Sequence, residues 1–239
     1  MIDIHTHILP YTDDGANTTE DALDMLHHAA SDGVTGIILT PHTHFEDYLN
    51  TTQVISRLVD NFMKETENMR PDIPLYIGSE AYFTSSFLEK FYRGEIPTLC
   101  GSRYVLTEFS FRRPPKDILP VFEQLCEDGY VPIIAHPERY PYWRDIFAPD
   151  LRYLLKLGVR LQITAGSLLG HFGDGAQRIA RTLLDAGNVS FVASDCHDPF
   201  DRSPRLSDAS EYIATRYGTQ SVQTLFYTHP QKVIDNEKL

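Results

Sequence analysis

Ile2-Asp3-Ile4-His5-Thr6-His7 opens the chain and decides how the rest is read. Ile2 to His5 alternates apolar and polar residues, as a short strand does, so a continuing strand points His5 and His7 the same way. At a rise of roughly 3.3 Å per residue the two imidazoles stand about 7 Å apart along one face, close enough to share a metal ion. A lone His-x-His is more often a surface pair than a ligand pair. The metal reading therefore requires further ligands downstream.

Outward from that stretch, apolar runs of strand length alternate with helical patterns. Strands are expected at Ile2–Ile4, Val34–Thr40, Leu75–Gly78, Tyr104–Thr107, Val131–Ala135, Val159–Ile163 and Ser190–Ala193. Between them, Thr18-Thr19-Glu20-Asp21 has the N-cap and first-turn acids of a helix start, and that helix should end at Gly33. Helices are also expected at Gln53–Met69, Thr84–Tyr92, Asp117–Cys126, Leu151–Leu157, Gln177–Ala186, Ser207–Tyr217 and Ser221–Tyr227. Seven β-then-α units in series imply an α/β fold with parallel strands, and a barrel one unit short of the usual eight is the expected form. A doubly wound sheet is the alternative, without a Gly-rich dinucleotide fingerprint to support it. No linker, repeat or low-complexity run divides residues 1–239, so a single domain is expected.

Composition narrows the function. A formal net charge of −12 argues against a general nucleic-acid or anionic-membrane surface, while leaving room for a small anionic substrate beside bound cations. Cys100, Cys126 and Cys196 are too few and too scattered for a disulfide framework, which fits a reducing compartment. There is no signal-peptide pattern and no apolar run long enough to span a bilayer, so the expectation is a cytoplasmic protein without stable membrane insertion.

The further ligands fall just beyond the expected strand ends. His5 and His7 close the first strand, His42 follows the second, Glu80 the third, Glu108 ends the fourth, His136 follows the fifth, and Asp195 and His197 follow the seventh. Only the sixth lacks a strong ligand, offering Gln162, Thr164 and Ser167. In parallel barrels this is the catalytic face. Imidazole and carboxylate without thiolate pairs suit Mn, Fe, Zn or Co, and so many donors suit two or three ions sharing a bridging carboxylate. Such a cluster fits phosphate-ester hydrolysis. Arg139 and Arg202 lie near these ligands, and guanidinium forks match phosphate.

Ile2–His7, Asp13-Asp14-Gly15, Thr40-Pro41-His42, Gly78-Ser79-Glu80, Glu108-Phe109, His136-Pro137-Glu138-Arg139 and Ser194-Asp195-Cys196-His197 together resemble the PHP (polymerase and histidinol phosphatase) superfamily. More narrowly they resemble its bacterial manganese-dependent protein-tyrosine phosphatases of capsule and exopolysaccharide clusters, from Met1 to about Asp235. The resemblance implies a distorted seven-unit (βα) barrel and a trinuclear Mn²⁺ site, with Fe, Zn or Co as substitutes. It implies that His5, His7, Glu80 and Asp195 hold one ion, Glu80, Glu108 and His136 a second, and Asp14, His42 and His197 a third. Asp14 enters on the resemblance alone; its position in a turn before Gly15 otherwise reads as a turn former. Arg139 and Arg202 would grip the phosphoryl group, and a metal-bound hydroxide would attack phosphorus in line. The implied partner is the phosphotyrosine tail of a bacterial tyrosine autokinase controlling polysaccharide export; a homo-oligomer is left open.

Phe109, Phe111, Tyr140, Tyr142 and Trp143 follow site residues and are candidates for flanking a phosphotyrosine ring, with the core as the commoner fate of such residues. His44 is a further histidine beside the ligands. Cys196 and Arg202 make the C-x5-R spacing of thiolate phosphatases, but the intervening Pro and two acids suit a phosphate loop poorly. His27, His28, His171 and His229 read as surface or capping residues, and the glycines around His171-Phe172 as a helix-entry turn. The rival readings are histidinol-phosphate hydrolysis, a nuclease, and a non-enzymatic phosphotyrosine-binding module.

Overall fold

The computed structural model describes residues 1–43, 48–143 and 149–239. Its strands are β1 (Ile2–Thr6), β2 (Gly36–Leu39), β3 (His42–Thr43), β4 (Leu75–Ile77), β5 (Glu80–Tyr82), β6 (Tyr104–Glu108), β7 (Val131–Ala135), β8 (Arg160–Thr164) and β9 (Phe191–Ala193). All pairings between these strands are parallel, in a sheet of order β1-β2-β4 and a second of order β3-β5-β6-β7-β8-β9. The fold is α/β with parallel sheets.

The second and third strands are shorter than expected, Gly36–Leu39 and Leu75–Ile77, and each is followed by a further short strand. The second stops before Thr40-Pro41 and resumes as β3, because Pro41 has no N–H to continue a ladder. The third stops before Gly78-Ser79 and resumes as β5. A Cβ on Gly78 would come within 2.8 Å of Leu99 and 2.9 Å of Ile38, so this kink needs a glycine. Beyond the breaks β3 pairs with β5, setting His42 opposite Glu80. The chain after β9 returns to β1: the Asp195 N–H donates to His5 O and the His7 N–H to Cys196 O, both at 2.9 Å, and Thr6 bridges Cys196.

Alternation along the strands sorts side chains into two apolar clusters. Ile4, Ile38, Leu106, Ile133 and Phe191 meet on one face of the sheets. Ile37, Leu39, Val105, Ile134 and Val192 point the other way, into a cluster with the helices. Those helices are α1 (Thr19–Ser31), α2 (Thr52–Glu65), α3 (Phe87–Tyr92), α4 (Ile118–Glu127), α5 (Pro149–Leu157), α6 (Ala165–Leu169), α7 (Gly173–Asp185), α8 (Ser207–Tyr217), α9 (Thr219–Gln223) and α10 (His229–Ile234). At the start of α1, Thr18 accepts from the Asp21 N–H at 3.0 Å and Asp21 accepts from the Thr18 N–H at 3.1 Å. Such a reciprocal cap is worth about 1 kcal/mol and fixes where the helix begins. The helix then buries Ala22, Met25, Leu26 and Ala29. Helix α2 ends at Glu65 rather than Met69 and buries Ile55, Val59 and Phe62, with Leu58 and Met63 partly buried beside them. Helix α7 begins at Gly173, ahead of the expected Gln177.

Candidate metal centre

The strand ends and the loop after β1 bring all nine expected ligands into one cluster. The Nε2 atoms of His5 and His7 lie 3.2 Å apart. Glu80 sits at the middle: its Oε2 is 3.1 Å from His42 Nδ1, 3.2 Å from His5 Nε2 and 3.4 Å from His7 Nε2, and its Oε1 is 2.8 Å from His136 Nε2. Glu108 reaches His42 Nδ1 at 3.6 Å and His136 Nε2 at 3.8 Å. Asp195 Oδ1 is 3.5 Å from His5 Nε2 and 3.6 Å from His7 Nε2. Asp14, from the loop after β1, lies 3.3 Å from His42 Nε2 and 3.4 Å from His197 Nε2. Four groups of residues have donor atoms all within 4.8 Å of one another: His7, Asp14, His42 and His197; His5, His7 and Glu80; His5, His136 and Asp195; and His42, Glu80 and Glu108. The third and fourth pair His136 and His42 differently from the sets implied by resemblance, although Glu80, Glu108 and His136 also adjoin.

The donor chemistry fits cations. His5 Nδ1 lies 2.8 Å from Gln162 Oε1, and His7 Nδ1 lies 2.7 Å from Asp13 Oδ2. Because both partners are acceptors, each Nδ1 carries the hydrogen, which leaves both inward Nε2 atoms with lone pairs in the neutral rings. Two lone pairs at 3.2 Å repel unless a proton or a cation stands between them. Glu80 Oε2, fully buried, accepts no hydrogen bond although three ring nitrogens surround it.

The electrostatics say what replaces the cation when none is bound. Burial alone would lower the basicity of His7, but Asp13 and Glu80 together outweigh it and raise the pKa to about 9. His42 is also pulled down by burial, and Glu80 and Asp14 hold it well above its usual value. His136 is buried with less compensation and falls to about 4. Burial, then the neighbouring Glu80, pushes Glu108 up to about 8. Protons are thus shared among crowded acids and imidazoles, the positions that a metal ion takes over.

Two of the candidate ligands adopt left-handed backbone: His136 at φ 33° and Asp195 at φ 53°. For non-glycine residues this conformation costs roughly 1–2 kcal/mol, and the surrounding hydrogen bonds must hold it. Asp195 also gathers the arginines. Its Oδ2 accepts from Arg139 at 2.7 Å and from Arg202 at 2.8 Å, and its backbone O accepts from Arg202 at 3.0 Å.

The C-x5-R segment is not a phosphate loop. Asp198 accepts the N–H groups of Phe200 and Asp201 at 2.7 Å and of Arg202 at 3.1 Å, leaving them no capacity to cradle an anion. The Cys196 thiol is fully buried, and burial raises its pKa.

Of the aromatic candidates, Phe109, Tyr140 and Trp143 are buried and packed on one another. Tyr142 is half-buried and donates to Ser110 O. Phe111 alone among them is exposed, stacked on His136 with ring centroids 5.6 Å apart. His44 lies outside the described residues. His27 reaches Met69 O at 3.0 Å and His229 reaches Ser190 O at 2.8 Å, away from the cluster. Sequence reasoning missed the orienting roles of Asp13 and Gln162. Asp13 stood inside a quoted motif and Gln162 on the strand without a ligand, so position alone was their signal.

Comparison with known proteins gives the same picture. The family model described as "Capsular polysaccharide synthesis, CpsB/CapC" matches residues 1–235. Tyrosine-protein phosphatase YwqE of Bacillus subtilis is 34% identical over 223 residues, covering 92% of this chain and 86% of its own length. Tyrosine-protein phosphatase CpsB of Streptococcus pneumoniae is 33% identical over 242 residues, covering 98% of both. A crystal structure from work on YwqE from Bacillus subtilis and CpsB from Streptococcus pneumoniae, described as "unique metal-dependent tyrosine phosphatases", superposes with a TM-score of 0.92 at 30% identity, covering 100% of this chain and 96% of that one. With its strand-end acids and imidazoles on the same framework, this chain belongs to the CpsB/CapC family of capsular polysaccharide synthesis.

Proposed function

We infer that this chain is a metal-dependent protein-tyrosine phosphatase acting in capsular or exopolysaccharide synthesis. The observation that carries the reading is the clustering of nine acids and imidazoles, Glu80 touching four of the histidines, with Arg139 and Arg202 fastened to one of the nine, Asp195. The tyrosine-phosphatase relatives favour it over histidinol-phosphate hydrolysis, a nuclease or a binding module. His5, His7, Asp14, His42, Glu80, Glu108, His136, Asp195 and His197 are the proposed metal ligands, for up to three ions, with Mn²⁺ as the proposed metal. Bound cations supply Lewis acidity, polarising the phosphoryl oxygens and making water a nucleophile near neutral pH.

The chain's own residues do the rest. Glu80 offers one oxygen to His5, His7 and His42 and the other to His136, and so bridges the donor sets. Gln162 and Asp13 take the Nδ1 hydrogens of His5 and His7 and so turn the Nε2 atoms inward, towards the ions. Arg139 and Arg202 each have N–H donors beyond those given to Asp195, and these bind the equatorial phosphoryl oxygens and offset charge that grows as the P–O bond breaks. A phenol of pKa about 10 is a fair leaving group, so this stabilisation replaces much of what a strong acid would contribute. With the Cys196 thiol buried, no nucleophile of this segment forms a covalent intermediate.

The proposed architecture is a distorted seven-unit barrel in a single domain over 1–239, supported by the bonds from Asp195 and Cys196 back to β1. The proposed substrate is the phosphotyrosine tail of a tyrosine autokinase in the cytoplasm. Among the described residues no helix is long and apolar enough to cross a membrane. The test is phosphate release from a phosphotyrosine peptide by chelator-stripped protein. Added Mn²⁺ should restore activity in the wild type and fail to do so in His136→Ala. Inactivity with every divalent metal would overturn the reading.

A further inference from the structure

Arg139 and Arg202 donate to the same oxygen, Asp195 Oδ2, at 2.7 and 2.8 Å. Arg202 Nη2 also reaches the Asp195 backbone O at 3.0 Å, whereas the bond to one carboxylate oxygen fixes the distance of the Arg139 guanidinium but not its plane, and bidentate phosphate binding depends on the plane. Something else must set it.

Phe172 meets both groups. Its ring centroid is 4.4 Å from Arg139 Cζ and 5.7 Å from Arg202 Cζ, and the ring of Phe111 lies 5.0 Å from Arg139 Cζ. Phe172 lines a cavity of about 490 Å³ together with Arg139, and another of about 420 Å³ together with Arg202 and Asp195. It forms the wall shared by the two.

The loop that carries Phe172 is built to hold it. Gly170 ends α6 at φ 99° and Gly173 opens α7 at φ 85°, both in the left-handed region. The His171 N–H donates to Gly166 O at 2.8 Å, and the Gly173 N–H to Gly170 O at 3.0 Å. A Cβ on Gly166 would stand 3.0 Å from Phe172 Cε2, so a glycine there lets the ring pass close to α6. The glycines of this stretch serve to place one aromatic ring.

We propose that Phe172 is the positioning residue of the arginine pair, an aromatic platform that fixes the planes of both guanidinium groups beside Asp195. A ring face attracts a guanidinium without using its N–H donors, so the contact persists when a phosphoryl group competes with Asp195 for them. This inference rests on the proposed phosphatase reading for its substrate, although the platform can be measured with inorganic phosphate alone.

The experiment compares wild type, Phe172→Leu and Phe172→Trp as metal-loaded full chains, with metal content and melting temperature checked for each. Phosphate affinity is read by calorimetry, and kcat and KM on a phosphotyrosine peptide. Phe172→Leu should weaken phosphate binding and lower kcat/KM by about tenfold each, and Phe172→Trp should recover most of both. In an Arg139→Ala, Arg202→Ala background, Phe172→Leu should change phosphate affinity by less than about twofold, because the groups it positions are gone. Unchanged phosphate affinity in Phe172→Leu, or an equal loss without the arginines, would overturn the platform. Wild type that binds phosphate in a Phe172-dependent way but releases none from the peptide would sustain the platform and sink the phosphatase reading instead.

Discussion

Asp13 Oδ2 accepts from His7 Nδ1 at 2.7 Å and from the His42 N–H at 2.8 Å, so one carboxylate oxygen orients two proposed ligands. Its Oδ1 accepts the Gly15 N–H at 3.0 Å. An asparagine has one acceptor oxygen for these donors and turns its amide hydrogens against the rest. Asp13→Asn should therefore weaken Mn²⁺ binding by about 10- to 100-fold while the protein stays folded, read by metal titration and circular dichroism. An unchanged affinity would remove Asp13 from the machinery.

Cys196→Ser should keep phosphatase activity within about threefold, with a loss of stability of about 1–3 kcal/mol for burying a hydroxyl in place of a thiol. The reason is the occupied loop: Asp198 takes the N–H groups a thiolate mechanism would need. Loss of turnover in a folded, metal-loaded Cys196→Ser protein would revive the thiolate mechanism.

Arg139→Lys and Arg202→Lys should each lower kcat/KM by about a hundredfold, because an ammonium cannot serve Asp195 and a phosphoryl edge with one planar fork. The double variant should lose less than the product of the two, since both groups act on one phosphoryl and share Asp195. Multiplicative losses would mean that they act separately.

His229 offers a pH test away from the metal site. Burial lowers its pKa, with Ser190 O as its partner at 2.8 Å. A base whose folded pKa is depressed favours folding above its unfolded value of about 6.5, and that advantage is lost as pH falls through the folded pKa. Between pH 8 and pH 5, wild type should thus lose more thermal stability than His229→Asn under the same metal conditions. Equal slopes would show that His229 does not titrate on unfolding.

Much of the site was legible because strand periodicity and strand ends are local properties. His5, His7, His42, Glu80, Glu108, His136, Asp195 and His197 could be picked out as residues following apolar runs, and a parallel fold converts that regularity into proximity. Asp14 could not, since a loop acid before a glycine looks like any turn; only resemblance singled it out. The stop of the second strand had a local signal in Pro41, but the break after the third depends on what Gly78 meets across the fold, at Leu99 and Ile38, which no local pattern encodes. The left-handed turns at His136 and Asp195 were equally hidden, because backbone strain is held by partners distant in sequence. Helix α2 ended early for a local reason that propensity blurs: Thr66 turns its hydroxyl back to Phe62 O at 2.7 Å.

The return of the chain from β9 to β1 also bears on how the protein is made. Asp3 accepts the Ser194 N–H across 191 residues of sequence, and His5 and His7 wait for Asp195 and His197 over a similar span. During synthesis the first strand emerges with one edge unpaired and stays so until nearly all the rest has left the ribosome, and closing so long a loop is slow. Before then the nascent chain holds crowded carboxylates and imidazoles but neither Asp195 nor Arg202. A chain cut short before that point exposes a sheet edge and lacks Asp195, His197 and Arg202, so the full donor set is assembled only as synthesis ends.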